Sequence, residues 1–94
     1  MAEPIVKDEP GDVRVTVRYF AAARAAAGAE SETVCVRPGA TVAELVDGLA
    51  ASNSRLAAVL SRCSYLCDGI AVRNMHTTLR SGETLDVLPP FAGG

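Results

Sequence analysis

VRVTVRYF, residues Val13–Phe20, alternates apolar and polar side chains in a run rich in β-branched residues, and its reading decides the fold. A side-chain period of two belongs to a strand with one buried face, so Val13, Val15, Val17 and Tyr19 point inward while Arg14, Thr16 and Arg18 meet water. By the same count Phe20 falls on the water side, which is an apolar ring where a polar group is expected. It is either a staple onto the following segment or part of an exposed apolar site. That segment, AAARAAAG (Ala21–Gly28), is built from the strongest helix former and closes on a glycine suited to the position just past a helix end. It predicts a short helical turn.

Outward from this pair, SETVCV (Ser31–Val36) reads as a second strand ended by the turn pair Pro38-Gly39. Thr41-Val42-Ala43-Glu44 has the spacing of a capping box, in which the first and fourth side chains satisfy each other's free backbone donors. Val42, Leu45, Val46 and Leu49 then recur at helical spacing and give one apolar stripe, the main helix. Asn53-Ser54 interrupts it, and Leu56, Val59 and Leu60 predict another turn or two. YLCDGIAV (Tyr65–Val72) is a hairpin around Asp68-Gly69. After a loop at 74–78 and a turn at Ser81-Gly82, TLDVL (Thr84–Leu88) is the last strand, with Leu85 and Val87 inward and Leu88 outward. The order argues an α+β domain: one sheet with a helix across one face.

Ninety-four residues suit a single small domain. The first twelve, MAEPIVKDEPGD, hold four acids, two prolines and a lysine without periodicity, and predict a disordered acidic leader, with the domain spanning 13–94. This start lacks the basic-then-apolar pattern of a secretory signal, and no apolar run approaches the roughly 20 residues that span a bilayer. A cytoplasmic address is expected. Beyond the leader, eight basic and seven acidic residues nearly cancel, which argues against nucleic-acid binding and against a basic membrane face. Cys35, Cys63 and Cys67 cannot all pair within one chain and lack the spacing of a four-ligand zinc site, so they are read as buried thiols and no metal is expected. His76 has no second plausible ligand nearby in sequence and is expected on the surface.

The chain ends LPPFAGG (Leu88–Gly94). Pro89 and Pro90 cannot donate ladder hydrogen bonds and favour an extended conformation, so they would hold Phe91, Gly93 and Gly94 off the body as a flexible tail of residues 89–94. At about 3.3 Å per residue this tail reaches roughly 20 Å. If the last strand lay beside the first, Phe20 and Leu88 would form an exposed apolar patch at its root, and such patches on monomers mark partner sites. A terminal carboxylate is an anion at neutral pH and a poor electrophile. Attack on the α-phosphate of ATP would activate it as an acyl-adenylate, which a sulfur nucleophile could convert to a thioester or thiocarboxylate. Glycines suit this chemistry because no Cβ blocks a narrow channel.

VRYFAAARAAAG, the ATVAEL helix start, the CDGIAV hairpin and LRSGETLDVLPPFAGG together resemble the small, sulfur-carrying subunits of molybdopterin synthase, which are ubiquitin-like β-grasp proteins. The resemblance covers Val13–Gly94, and its most specific part is the terminal Pro-Pro-x-x-Gly-Gly combined with the Tyr-Phe-Ala strand end. The leader departs from the family's usual start. Asp68 stands where the family often has Asn, and both suit the turn. The resemblance implies a mixed β-grasp sheet with the first and last strands as parallel neighbours. It implies that Gly94, next to Gly93, is adenylated by an E1-like enzyme that uses ATP and is then sulfurated to a thiocarboxylate. It further implies that the tail enters a pocket of the large subunit, within a heterotetramer, where sulfur passes to a pyranopterin precursor. Phe20, Val72 and Leu88 match the family's hydrophobic docking surface and Arg24 a polar interface position; Pro89, Pro90 and Phe91 carry the tail. No bound cofactor and no independent activity are implied, because the catalytic pocket belongs to the large subunit.

Three rival readings share these features. A protein modifier would use the same activated terminus to form isopeptides; the domain contains no lysine, Lys7 lying in the leader, so chains could not be built on its folded surface. A carrier for thiamine-thiazole or cysteine synthesis would share Gly-Gly, but the two prolines and YFAAAR favour the molybdopterin branch. A non-covalent interaction module would need no free Gly94.

Overall fold

The first strand, β1 (Val13–Tyr19), sits inside the sheet and not at its edge. On one side it pairs antiparallel with β2 (Ser31–Val36), Val15 opposite Val34; on the other it pairs parallel with β5 (Thr84–Leu88), Tyr19 opposite Val87. β3 (Ser64–Cys67) runs antiparallel to β5, and the two-residue β4 (Ile70–Ala71) completes the order β2-β1-β5-β3-β4. This mixed five-stranded sheet with helices on one face is the ubiquitin-like β-grasp expected above. In this computed structural model the described residues are 12–90, so the expectations for the leader up to Gly11 and for Phe91, Gly93 and Gly94 lie outside them.

Alternation holds along β1: Val15, Val17 and Tyr19 are buried, and Val13 is half-buried against the same core. With Leu85 and Val87 of β5 and Tyr65 of β3 they meet Val42, Leu45 and Leu49 of α2 (Val42–Ser52) and Leu56 and Leu60 of α3 (Ser54–Leu60). Burying each such side chain is worth about 1.5–3 kcal/mol against leaving it in water. The short α1 (Ala21–Ala27) adds Ala23 to this core and stops at Gly28, whose φ of 77° is open to glycine at no steric cost.

Local chemistry fixes where the helices start. Thr41 Oγ1 accepts from the Glu44 N–H at 3.2 Å, and the Thr41 N–H donates to Glu44 Oε1 at 3.1 Å, which closes the capping box at α2. Asn53 ends α2 and caps α3 by accepting from the Arg55 and Leu56 N–H groups. Its side-chain amide also donates to the Ala26 carbonyl at 3.0 Å, tying α1 to the α2–α3 joint. At the hairpin, Asp68 and Gly69 take φ of 49° and 82°, the two positive values that a tight β-turn of the favoured hand requires.

One expectation is corrected. The cysteines are not uniformly buried: Cys35 is exposed, and Cys63 and Cys67 are half-buried. Cys35 lies opposite Arg14 on β2, so it takes the outward parity on an edge strand, away from the helices. His76 is exposed, as expected.

Candidate docking site at the end of the central strands

Because β5 runs parallel to β1, both strands deliver their C-terminal ends to the same edge of the sheet. The Phe20 N–H donates to the Val87 carbonyl at 3.3 Å, so the first residue past β1 is still tied to β5. Phe20 and Leu88 therefore share the face opposite the helices, each one residue past the inward Tyr19–Val87 pair, with Ser64 of β3 opposite Leu88. Phe20 is 38% exposed and Leu88 is half-buried. Past Leu88 the chain leaves the sheet through Pro89, half-buried, and Pro90, exposed.

The next row on this face runs Ser31, Arg18, Asp86, Leu66, Ala71 across all five strands. Asp86 has outward parity yet is only 6% exposed. Arg18 covers it with a fork: Nε donates to Oδ1 at 2.7 Å and Nη2 to Oδ2 at 2.9 Å. The hydrogen bond to Asp86, and then its charge, push the Arg18 guanidinium pKa upward, so the cation is held firmly. The same guanidinium carbon lies 5.4 Å from the centre of the Phe20 ring, within cation–π range. Alternation in the sequence made Arg18 an ordinary solvent-facing residue. Its role appears only once the parallel register sets it beside Asp86.

Arg24 reaches the same end from α1. It pairs with Glu30 at 2.7 Å, and both side chains remain more than half exposed, so the pair adds little stability. With Arg18, Phe20 and Glu30 it borders a shallow cleft of about 180 Å³. Val72 stands apart. It lies beyond β4, opposite Tyr65, to whose carbonyl its N–H donates at 2.9 Å, and it packs half-buried against the core. The structure thus brings Phe20, Leu88, Arg24, Pro89 and Pro90 to one end and leaves Val72 out of their row.

Cys63 and Cys67 offer little nucleophilicity. Cys63 Sγ lies 3.3 Å from the Val59 carbonyl and its pKa is raised by burial. Cys67 is pushed up to about 11, by burial first and then by the charge and hydrogen bond of Glu83 and the charge of Asp68. Both therefore stay protonated at neutral pH. Among the described residues no group of three or more His, Cys, Asp or Glu is placed to hold a metal ion, and no helix is long and apolar enough to cross a membrane. This face presents an aromatic ring, an aliphatic neighbour and a charged clasp beside the point where the chain leaves the sheet.

The model of the ThiS family matches residues 17–94. A molybdopterin synthase sulfur carrier subunit from Chlamydomonas reinhardtii is 28% identical over 83 residues, covering 87% of this chain and all of that protein. Among solved structures, SAMP1 from Haloferax volcanii superposes with a TM-score of 0.76 at 25% identity, covering 86% of this chain and 99% of that one. One chain in the complex of subunits 1 and 2 of the molybdopterin-converting factor from Helicobacter pylori gives 0.62 at 23%, covering 87% of this chain and 100% of that one.

Proposed function

Since this chain belongs to the ThiS family, we propose that it is the sulfur carrier of a molybdopterin synthase, loaded at Gly94 and docked through the Phe20–Leu88 end of its sheet. The observation that carries the proposal is the parallel β1–β5 pairing, which sets Phe20 and Leu88 side by side where the chain departs through Pro89-Pro90 toward Gly93-Gly94. Docking and delivery are then one event: a partner that grips the patch receives the tail.

In the loading reaction the Gly94 carboxylate attacks the α-phosphate of ATP on an E1-like enzyme, and pyrophosphate leaves. Hydrosulfide from a sulfur donor then attacks the acyl carbon of the adenylate, expels AMP and gives up its proton, leaving a thiocarboxylate. The tail carries this group into the large subunit, where sulfur passes to the pyranopterin precursor. Carrier and large subunit would form a heterotetramer, and the chain itself needs no cofactor and performs no catalysis alone. The named relative in Chlamydomonas and the subunit complex from Helicobacter support this branch of the family.

A second reading has its own observation, the likeness to SAMP1, a small archaeal modifier protein. One experiment separates the two. The chain is incubated with ATP, an E1-like enzyme and a sulfur donor, and its intact mass is followed. Exchange of one oxygen for sulfur at the terminus, reversed when the large subunit and precursor are added, is the expected result. Attachment to lysines of other proteins with no such exchange would favour the modifier.

A further inference from the structure

The row beside Phe20 and Leu88 contains a feature that the docking proposal does not use. An apolar docking face is interrupted by a carboxylate, Asp86, that is almost wholly buried and held by a two-pronged bond from Arg18. An ion pair of which only the carboxylate is buried is poor evidence of stabilisation, because apolar residues packed over the same site serve as well or better. Arg18 also does not extend into water as a surface arginine does. It lies back over Asp86 and the Phe20 ring while its side chain stays 52% exposed. Of the five N–H donors on a guanidinium, two are spent on Asp86. Among the described residues none of the others has a hydrogen-bond partner.

We propose that the Arg18–Asp86 pair is the specificity element of the docking face: Asp86 fixes Arg18, Arg18 positions the Phe20 ring, and its remaining donors require an oxygen acceptor on the partner. The inference rests on the docking role proposed above. Arg18 sits one row behind Phe20, so a partner that covers Phe20 and Leu88 also covers Arg18. A wholly apolar surface would strand the guanidinium donors away from water, whereas one that presents a carbonyl or carboxylate oxygen opposite them would not. The Arg18–Asp86 and Arg24–Glu30 pairs each cancel in charge, so the selection acts through placed hydrogen bonds and not through net charge. The occupant is therefore a large synthase subunit with an apolar socket for Phe20 and an oxygen acceptor beside it.

The test replaces the pair by apolar residues, Arg18→Met with Asp86→Leu, and measures binding to the large subunit of the same organism by calorimetry. The expected result is a loss of about tenfold or more in affinity, with the effect on sulfur transfer falling on the KM for the loaded carrier and not on kcat. The melting temperature should hold or rise. Binding as tight as the parent's, or tighter, would overturn the inference, because it is what a purely apolar interface gives. If the double variant fails to fold, Arg18→Lys carries the test: it leaves Asp86 a cationic neighbour but removes the fork, so the same loss is expected and unchanged affinity would overturn the proposal. Phe20→Ala in the parent separates the two levels. If it leaves binding unchanged, the docking proposal itself falls. If it weakens binding while the apolar pair does not, only the role of Arg18 falls.

Discussion

Among the described residues, two other than glycine hold positive φ, Ala21 at 51° and Asp68 at 49°, and they illustrate how equal strain has unequal consequences. For an L-residue the left-handed region costs roughly 1 kcal/mol. At Ala21, just after Phe20, nothing is gained from the methyl group in exchange: it is exposed. Ala21→Gly should therefore stabilise by up to about 1 kcal/mol, less the larger unfolded-state entropy of glycine, read as a raised midpoint in urea. At Asp68 the side chain accepts from the Thr84 N–H at 2.8 Å, tying the hairpin to β5. Asp68→Gly relieves the same strain but forfeits a bond worth about 0.5–1.5 kcal/mol, so no gain is expected. Cys67 gives a prediction in pH. Its ordinary value near 9 is raised to about 11, so the folded state keeps a proton that the unfolded state has lost between these values. Its contribution to stability is full below pH 9 and is lost as pH rises toward 11. Melting temperature should fall across that window, less steeply in Cys67→Ala. The same variant should still accept sulfur at Gly94; loss of loading in a folded protein would implicate a persulfide relay.

At the scale of elements, the joint between α2 and α3 depends on one side chain. Asn53 accepts from two N–H groups of α3 and donates to the Ala26 carbonyl of α1, so its side chain links α3 to α1 at the point where α2 ends. Asn53→Ala should cost about 1–2 kcal/mol, more than the roughly 1 kcal/mol typical of a helix cap, as read from urea denaturation. Thr41→Ala, which removes a cap without a third partner, sets the comparison. These elements also show what sequence can reveal. The alternation of Val13–Tyr19, the Thr41–Glu44 box and the Asp68-Gly69 turn were legible because each is decided by residues within a few positions of one another. Asn53 was legible as an interruption but not as a clamp, since its third partner lies 27 residues away. The Arg18–Asp86 pair, 68 residues apart, was invisible for the same reason: it needs the parallel register of β1 and β5, which no local pattern encodes. Phe20 and Leu88 stood out because alternation alone made them anomalous. Val72, just past β4, had no such signal, and it packs half-buried against the core. Cys35 was misjudged because residue type was weighed above parity.

The whole molecule divides its labour along the chain. The core cluster is drawn from Val15 to Val87, between the first strand and the last. The proposed docking row sits at the C-terminal ends of those same two strands, on the face the helices leave open, so the sheet that forms the core also positions the exit at Leu88-Pro89-Pro90. On the proposed docking role, stability and function are separable in sequence, with the parallel pair as their shared support. Leu85→Ala, at the centre of that pair and fully buried, should cost about 2–5 kcal/mol through the cavity it leaves, and weaken function only through unfolding. Removing Gly94 should do the reverse. The deletion subtracts no residue of the core cluster, so melting temperature should match the parent, and calorimetry should still register the large subunit gripping Phe20 and Leu88. Yet sulfur transfer should vanish, because the acyl carbon would sit one residue short of the reacting centre, about 3.3 Å in an extended chain, when productive attack needs reacting atoms within about 3–3.5 Å of each other. The variant would then compete with the parent for the large subunit without turning over. A Gly94 deletion that still supported pterin sulfuration in a reconstituted assay would place the chemistry elsewhere and reduce the chain to a non-covalent module.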